Sequence, residues 1–294
     1  MQRFKKRLRL IIRKYPKNMK KIIATFCALM LIVAFKASAQ KEQTRQVSGF
    51  TGISNNGSFD VRVKIDGTES VRVVSDKDEY DKIETVVEGG ILRIGTKRSL
   101  GWNNGVHGNV TVYVTAKSLS DLRNNGSGDI VVEGDLHGSD VRAANSGSGT
   151  LKITGSLIGE KITVDETGSG DVKVDGSVNS AEVSVRVSGS GNITAGIKAT
   201  NLTTRLTGSG NITLNGTAGK ADIMVSSSGQ INGRNLKAND VTVGISGSGN
   251  VRIGAEKTIS ARISGSGNVV YSGSGSMTEF HGSGSGGIRH GNEE

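Results

Sequence analysis

Between residues 121 and 271, apolar and polar residues alternate one for one on both sides of a recurring Gly-Ser-Gly. This is the two-residue period of a strand and not the 3.6-residue period of a helix. The tripeptide begins at Gly126, Gly147, Gly168, Gly189, Gly208, Gly247 and Gly265, and Ser227-Ser228-Gly229 stands where an eighth is due, so the corners recur at a nearly even interval. The second residue after the motif is apolar every time: Ile130, Leu151, Val172, Ile193, Ile212, Ile231, Val251, Val269. The fourth is Val132, Ile153, Val174, Ala195, Leu214, Gly233, Ile253 or Tyr271. Four residues before the motif stand Leu122, Ala143, Val164, Val185, Thr204, Ile223, Val243 and Ala261, and two before it the later repeats have Val187, Leu206, Val225, Ile245 and Ile263. These positions are expected to point inward, with Arg123, Asp165, Arg186, Arg205 and Arg262 between them in solvent.

A repeat of roughly 20 residues made of strand, Gly-Ser-Gly corner, strand and second turn predicts an all-β fold, a parallel β-solenoid in which each strand pairs with its equivalent one coil away. Glycine suits the corners because a sharp bend needs positive φ or a close backbone approach, and a Cβ obstructs both. The residue after the corner is Asp129, Thr150, Asp171, Asn192, Asn211, Gln230, Asn250 or Asn268. Such side chains are expected to bond turn backbone and one another along the stack.

Residues 47–115 have strand patterns without Gly-Ser-Gly. Phe59 to Ile65 alternates before the Asp66-Gly67 turn, Val71 to Val74 continues as a strand, and one helical turn is expected within Asp76 to Ile83. Strands 84–88 and 91–95 flank Gly89-Gly90, and Val110 to Val114 leads toward the first regular coil. This segment is expected to form an irregular strand-rich cap, because an open solenoid end exposes unpaired strand edges. Regular coils are expected over 116–290, with 40–46 as a short linker.

Phe50-Thr51-Gly52-Ile53, Gly57-Ser58-Phe59-Asp60-Val61, Asp121-Leu122 before Gly126-Ser127-Gly128-Asp129-Ile130, and the closing Gly265-Ser266-Gly267-Asn268-Val269-Val270-Tyr271 together resemble the exported bacterial proteins of the auto-transporter adhesin head GIN domain family. The likeness covers about residues 47–290. It implies a right-handed single-stranded β-helix and carries over no functional residues.

The segment from Met1 to Ala39 alters the meaning of the charge. It holds eleven of the 37 Lys and Arg and none of the 27 Asp and Glu, so the formal +10 becomes nearly neutral beyond it and gives no reason to expect nucleic acid. Lys20-Lys21, the apolar run Ile22 to Phe35 and Ala37-Ser38-Ala39 have the basic, hydrophobic and small-residue order of a signal peptide, starting at Met1 or at Met19. The apolar run is short for a membrane span. Cleavage near Ala39 predicts a product that does not span the membrane and resides in the periplasm, on the cell surface or outside the cell. The only cysteine of the chain, Cys27, would leave with the leader, which excludes disulfides, thiolate metal sites and cysteine nucleophiles from the remainder.

Chemistry is sparse in what remains. Asp129 and Asp171 share a column but lie two coils apart, roughly 9.6 Å from strand spacing, with Thr150 between them, so they read as corner residues and not as a paired acid and base. Asp165, Glu166, Asp171 and Asp175 form the densest acidic group and read as a solvated face. His107, His137, His281 and His290 lack ligand spacing, so no metal or other cofactor is expected. Gly282 to Gly287 reads as a turn, since no Gly-Lys-Ser/Thr follows it. The sequons at Asn109, Asn192, Asn201 and Asn211 arise from corner composition. Trp102, in a Gly/Asn loop, and the outward Lys152, Lys173, Arg186 and Arg205 are the candidate surface-binding residues. The function expected is a non-catalytic structural or adhesin-like protein of the envelope, touching a cell-surface glycan or envelope protein and self-associating weakly. The alternative is a carbohydrate-active β-helix enzyme, disfavoured because the even repeat leaves no long loops to build a cleft.

Overall fold

Side-chain alternation and glycine spacing produce one continuous stack of strands. The computed structural model describes residues 41–77, 79–97 and 106–291, and Glu42–Glu294 is one compact unit. In chain order the strands are β1 (Lys41–Arg45), β2 (Gly52–Asn55), β3 (Asp60–Ile65), β4 (Ser70–Ser75), β5 (Ile83–Glu88), β6 (Ile91–Thr96), β7 (Val110–Ala116), β8 (Asp121–Asn124), β9 (Ile130–Glu133) and β10 (Leu136–Asn145). They continue as β11 (Leu151–Ile153), β12 (Leu157–Glu166), β13 (Asp171–Val187), β14 (Asn192–Leu206), β15 (Asn211–Val225), β16 (Gln230–Gly247), β17 (Asn250–Gly265), β18 (Asn268–Ser272), β19 (Ser276–Ser283) and β20 (Gly287–His290). The only helical element among the described residues is a 3-10 turn, Tyr80–Lys82, inside the segment expected to hold one.

From β8 onward every pairing is parallel and links one coil to the next. Ile130, Leu151, Val172, Ile193, Ile212, Ile231, Val251 and Val269 are register partners in that order, and all are buried. The protein is therefore a β-solenoid with coils of about 20 residues, held by one apolar column per inward position. Coil length varies at the second turn and not at the corner: the register slips between Val174 and Ser177, between Thr213 and Asn215, and between Gly233 and Lys237.

The corner explains its own glycines. A Cβ on Gly168, Gly189 or Gly208 would overlap the carbonyl oxygen of Gly147, Gly168 or Gly189 in the coil beneath, although none of the three has positive φ. Close approach of stacked backbones, and not the left-handed conformation, excludes other residues there. The column after the corner forms the expected ladder, with Asn192 Nδ2 donating to Asp171 Oδ1 at 2.9 Å and Asn211 Nδ2 to Asn192 Oδ1 at 3.0 Å.

The N-terminal part departs from sequence order. β2 lies between β6 and β8, and β3 between β7 and β9, all in parallel. The strand Val110–Ala116 thus stacks beyond β3, and from it the chain passes the level of β2 and β3 to enter β8, the first strand of the regular coils. Antiparallel β4–β7 and β5–β6 complete this end. The 40–46 stretch, expected as a linker, contributes β1, which pairs with β4. Its Arg45 donates to the backbone carbonyls of Ile83 and Tyr80, both at 2.7 Å. At the other end, Met277 and Phe280 occupy the inward register of Ile259 and Ala261, yet they are exposed because no described strand lies beyond β19.

Candidate binding faces

The outward columns carry most of the charge, and the register decides which charges meet. Lys152 and Lys173 are neighbours on the strands after the corner. Each has its own carboxylate: Lys152 pairs with Asp175 at 3.1 Å and Lys173 with Asp171 at 3.0 Å. Arg186 and Arg205 are neighbours on the strands before the corner. Arg186 lies 3.6 Å from Asp165, which also accepts from Arg142 at 3.2 Å, whereas Arg205 has no bonded or ionic partner among the described residues. With Lys161, Glu182, Ser184 and Thr203 these two arginines line a shallow depression of about 450 Å³. Four of the predicted residues therefore form two separate strips. Trp102 and the leader lie outside the described residues.

The acidic group is not one solvated face. Glu166 is fully buried inside the solenoid. Its Oε2 accepts from Asn145 Nδ2 at 2.7 Å and its Oε1 from the Gly168 amide at 2.6 Å. Burial pushes its carboxyl up to about 7 against those two bonds, and the charge of Asp171 adds to the rise. Asp171 is held below its ordinary value, because bonds from Asn192 and Lys173 outweigh desolvation, the largest single influence on it. Parity turns this side chain inward: Glu166 stands two residues before its corner, the position that becomes Val187 one coil on.

The same position holds Asn55, Asn124 and Asn145 in the preceding coils, all buried. Asn55 Nδ2 donates to Asn124 Oδ1 at 3.2 Å, and the Nδ2 of Asn124 and of Asn145 donates to the corner carbonyl four residues on, Gly128 or Gly149, at 2.9 Å. This internal polar ladder escaped the sequence reading, which followed the apolar members of the column. Counting two residues back from every corner would have found it.

The strip of Lys152 and Lys173 extends toward the N-terminal end. Arg72, Tyr113, Arg62 and Val131 are successive register partners on β4, β7, β3 and β9. The Arg72 guanidinium carbon sits 4.4 Å from the Tyr113 ring centroid, a cation–π contact, and its Nη1 bonds Glu42 at 2.8 Å. These residues, with Lys64, Ser70, Thr111, Thr115 and Glu133, line an open depression of about 570 Å³. It continues the column of Lys152 and Lys173.

The family model described as "Putative auto-transporter adhesin, head GIN domain" matches residues 49–189 and again 163–275. The chain belongs to this GIN domain family. The two matches overlap, as expected when the matched unit is itself repetitive, and the family places the chain among adhesin-like proteins. Crystal structures of the same fold include a "Putative lipid binding protein" from Parabacteroides distasonis ATCC 8503, 23% identical with a TM-score of 0.64, over 86% of this chain and 96% of that one. A "putative adhesin" from the same organism is 20% identical with a TM-score of 0.65, over 85% and 96%. A third, a "putative adhesin" from Parabacteroides merdae ATCC 43184, is 16% identical with a TM-score of 0.62, over 86% and 96%. The search of curated proteins returned no match. At these identities the solved structures establish the solenoid alone, so the chemistry of this GIN domain rests on its own surface. Among the described residues no three metal-binding side chains converge, and no helix is long and apolar enough to cross a membrane.

Proposed function

We propose that this GIN domain is an exported, non-catalytic binding protein of the cell envelope that uses its outward columns to hold a glycan or a partner protein. The observation that carries this reading is the state of the outward charges. Asp165, Asp171 and Asp175 are spent on neighbouring cations, while hydroxyl and cationic columns run along open depressions of about 450 and 570 Å³. Repeated polar groups at the strand spacing of about 4.8 Å suit many weak contacts along an extended surface. They do not supply the pair of carboxylates across a cleft that glycoside cleavage needs.

Export belongs to the same proposal. The leader ends in Ala37-Ser38-Ala39, so protein recovered from the envelope fraction is expected to begin at Gln40, and a full-length product held in the inner membrane would refute it. Residues 47–115 act as the cap and first irregular coils and 116–290 as the regular coils in this reading, and outward columns run along both. The functional test is incubation of the processed protein with acidic and neutral polysaccharides, scoring retention and chain length together. Retention without shortening is expected. Shortening that disappears in Asp171→Asn or Asp165→Asn would establish the enzyme instead.

A further inference from the structure

We propose that the depression around Arg62, Lys64, Arg72 and Tyr113 is a subsite for the anionic group of an acidic saccharide, a uronate carboxylate or a sugar sulfate. The inference rests on the glycan-binding form of the function proposed above and names the ligand class and the place.

Stacking in a solenoid forces side chains of adjacent coils to within about 5 Å of one another, and cations so placed repel unless an acid lies between them. Further along the same column the chain supplies that acid: Lys152 has Asp175 and Lys173 has Asp171. At the N-terminal end the compensation stops. Arg72 is neutralised by Glu42 and seated on Tyr113, but the side chain of Arg62, on the far side of Tyr113 in the column, has no ion pair or hydrogen bond among the described residues. Lys64 stands two residues on along β3, so it points outward beside Arg62, and both are exposed. Its register partners are Thr115 and Glu133, and Glu133 makes no ion pair with it. Lys64 has Glu133 beside it and lies near enough to Asp66 to lower that carboxyl, so Arg62 is the cation of this patch that the chain leaves without an ion pair, and a bound anion would supply what the chain withholds.

The remaining lining points to a saccharide and not to a bare anion. Tyr113 is 39% exposed, and with Val131 it offers apolar surface beside the cations. Ser70, Thr111 and Thr115 add hydroxyls that can exchange hydrogen bonds with sugar hydroxyls. The depression is open along the column toward Lys152 and Lys173, so a chain of several acidic sugars can run along it.

The test is calorimetric titration of the processed protein with a tetragalacturonate, a chondroitin sulfate tetrasaccharide and neutral maltotetraose at low and high salt. Both acidic probes are expected to bind, more weakly at high salt, and the neutral one is not. Arg62→Ala with Lys64→Ala should weaken acidic binding by about tenfold or more, the loss expected of charge-assisted bonds. Lys198→Ala with Lys220→Ala removes the same charge from exposed positions on β14 and β15 and should leave affinity nearly unchanged. Equal losses in the two double variants would mean diffuse attraction and overturn the subsite. Acidic binding that survives the loss of Arg62 and Lys64 would overturn the subsite and leave the glycan reading standing. Failure of every saccharide to bind would overturn the glycan reading and the subsite together.

Discussion

Glu166 should make this solenoid less stable as pH rises through neutrality. Its carboxyl is 0% exposed and pushed up to about 7, from 4.5, chiefly by burial. The folded chain then holds this proton more tightly than the unfolded chain does. The stability it contributes is complete below about pH 4.5, declines as pH rises toward 7, and is gone above it. A difference of about 2.5 pH units corresponds to roughly 3 kcal/mol. Glu79, whose carboxyl is held down to about 2 by Lys82 Nζ and the His107 and Gly108 amides, acts the opposite way, but only below about pH 4.5. The two windows therefore separate. Glu166→Val places in this coil the residue that the next coil has at Val187, and Glu166→Gln keeps a polar side chain of the same length. Urea unfolding at pH 5, 6, 7 and 8 should show each variant gaining on the parent as pH rises, with the relative stability shifting by roughly 2.5 kcal/mol over this range, because part of the effect lies below pH 5. Parent and variants tracking in parallel from pH 5 to 8 would refute the reasoning.

Other substitutions test the stacking itself. Ile193→Asp removes a fully buried side chain and inserts an unpaired charge, so it should cost roughly 4 kcal/mol in chemical denaturation; Thr194→Asp, one residue on and exposed, should stay within about 0.5 kcal/mol. Gly189→Ala drives a Cβ into the Gly168 carbonyl and should cost about 2–3 kcal/mol in the same assay. Gly244→Ala is the contrasting case, because its Cβ would meet only Met224 Cγ at 3.9 Å and the Ile223 carbonyl oxygen at 4.0 Å, and a stability gain of about 0.5 kcal/mol is expected. Similar losses at Gly189 and Gly244 would show that close backbone approach is not what selects glycine at the corners.

The coil, its strand period, its inward columns and the place of each corner are all readable from the order of residues alone. Those features are local and repeat, so every repeat is an independent statement of the same pattern, and Ile130 through Val269 are legible as one column before any coordinates exist. That order also marked Lys152, Lys173, Arg186 and Arg205 as outward. Only the tertiary structure decided which outward charges are neutralised, since that depends on neighbours a full coil away in the chain: Lys152 meets Asp175 and Arg186 meets Asp165, while Arg62 and Arg205 meet no carboxylate among the described residues. The N-terminal topology was likewise out of reach. β2 and β3 stack directly beneath β8 and β9 although β4 to β7 intervene in the chain, and no local pattern encodes an insertion out of order. Glu166 lies between the two cases, because its inward parity was written in the sequence but the cost of that parity, a carboxyl pushed up to about 7, arises only when neighbouring coils shut out water.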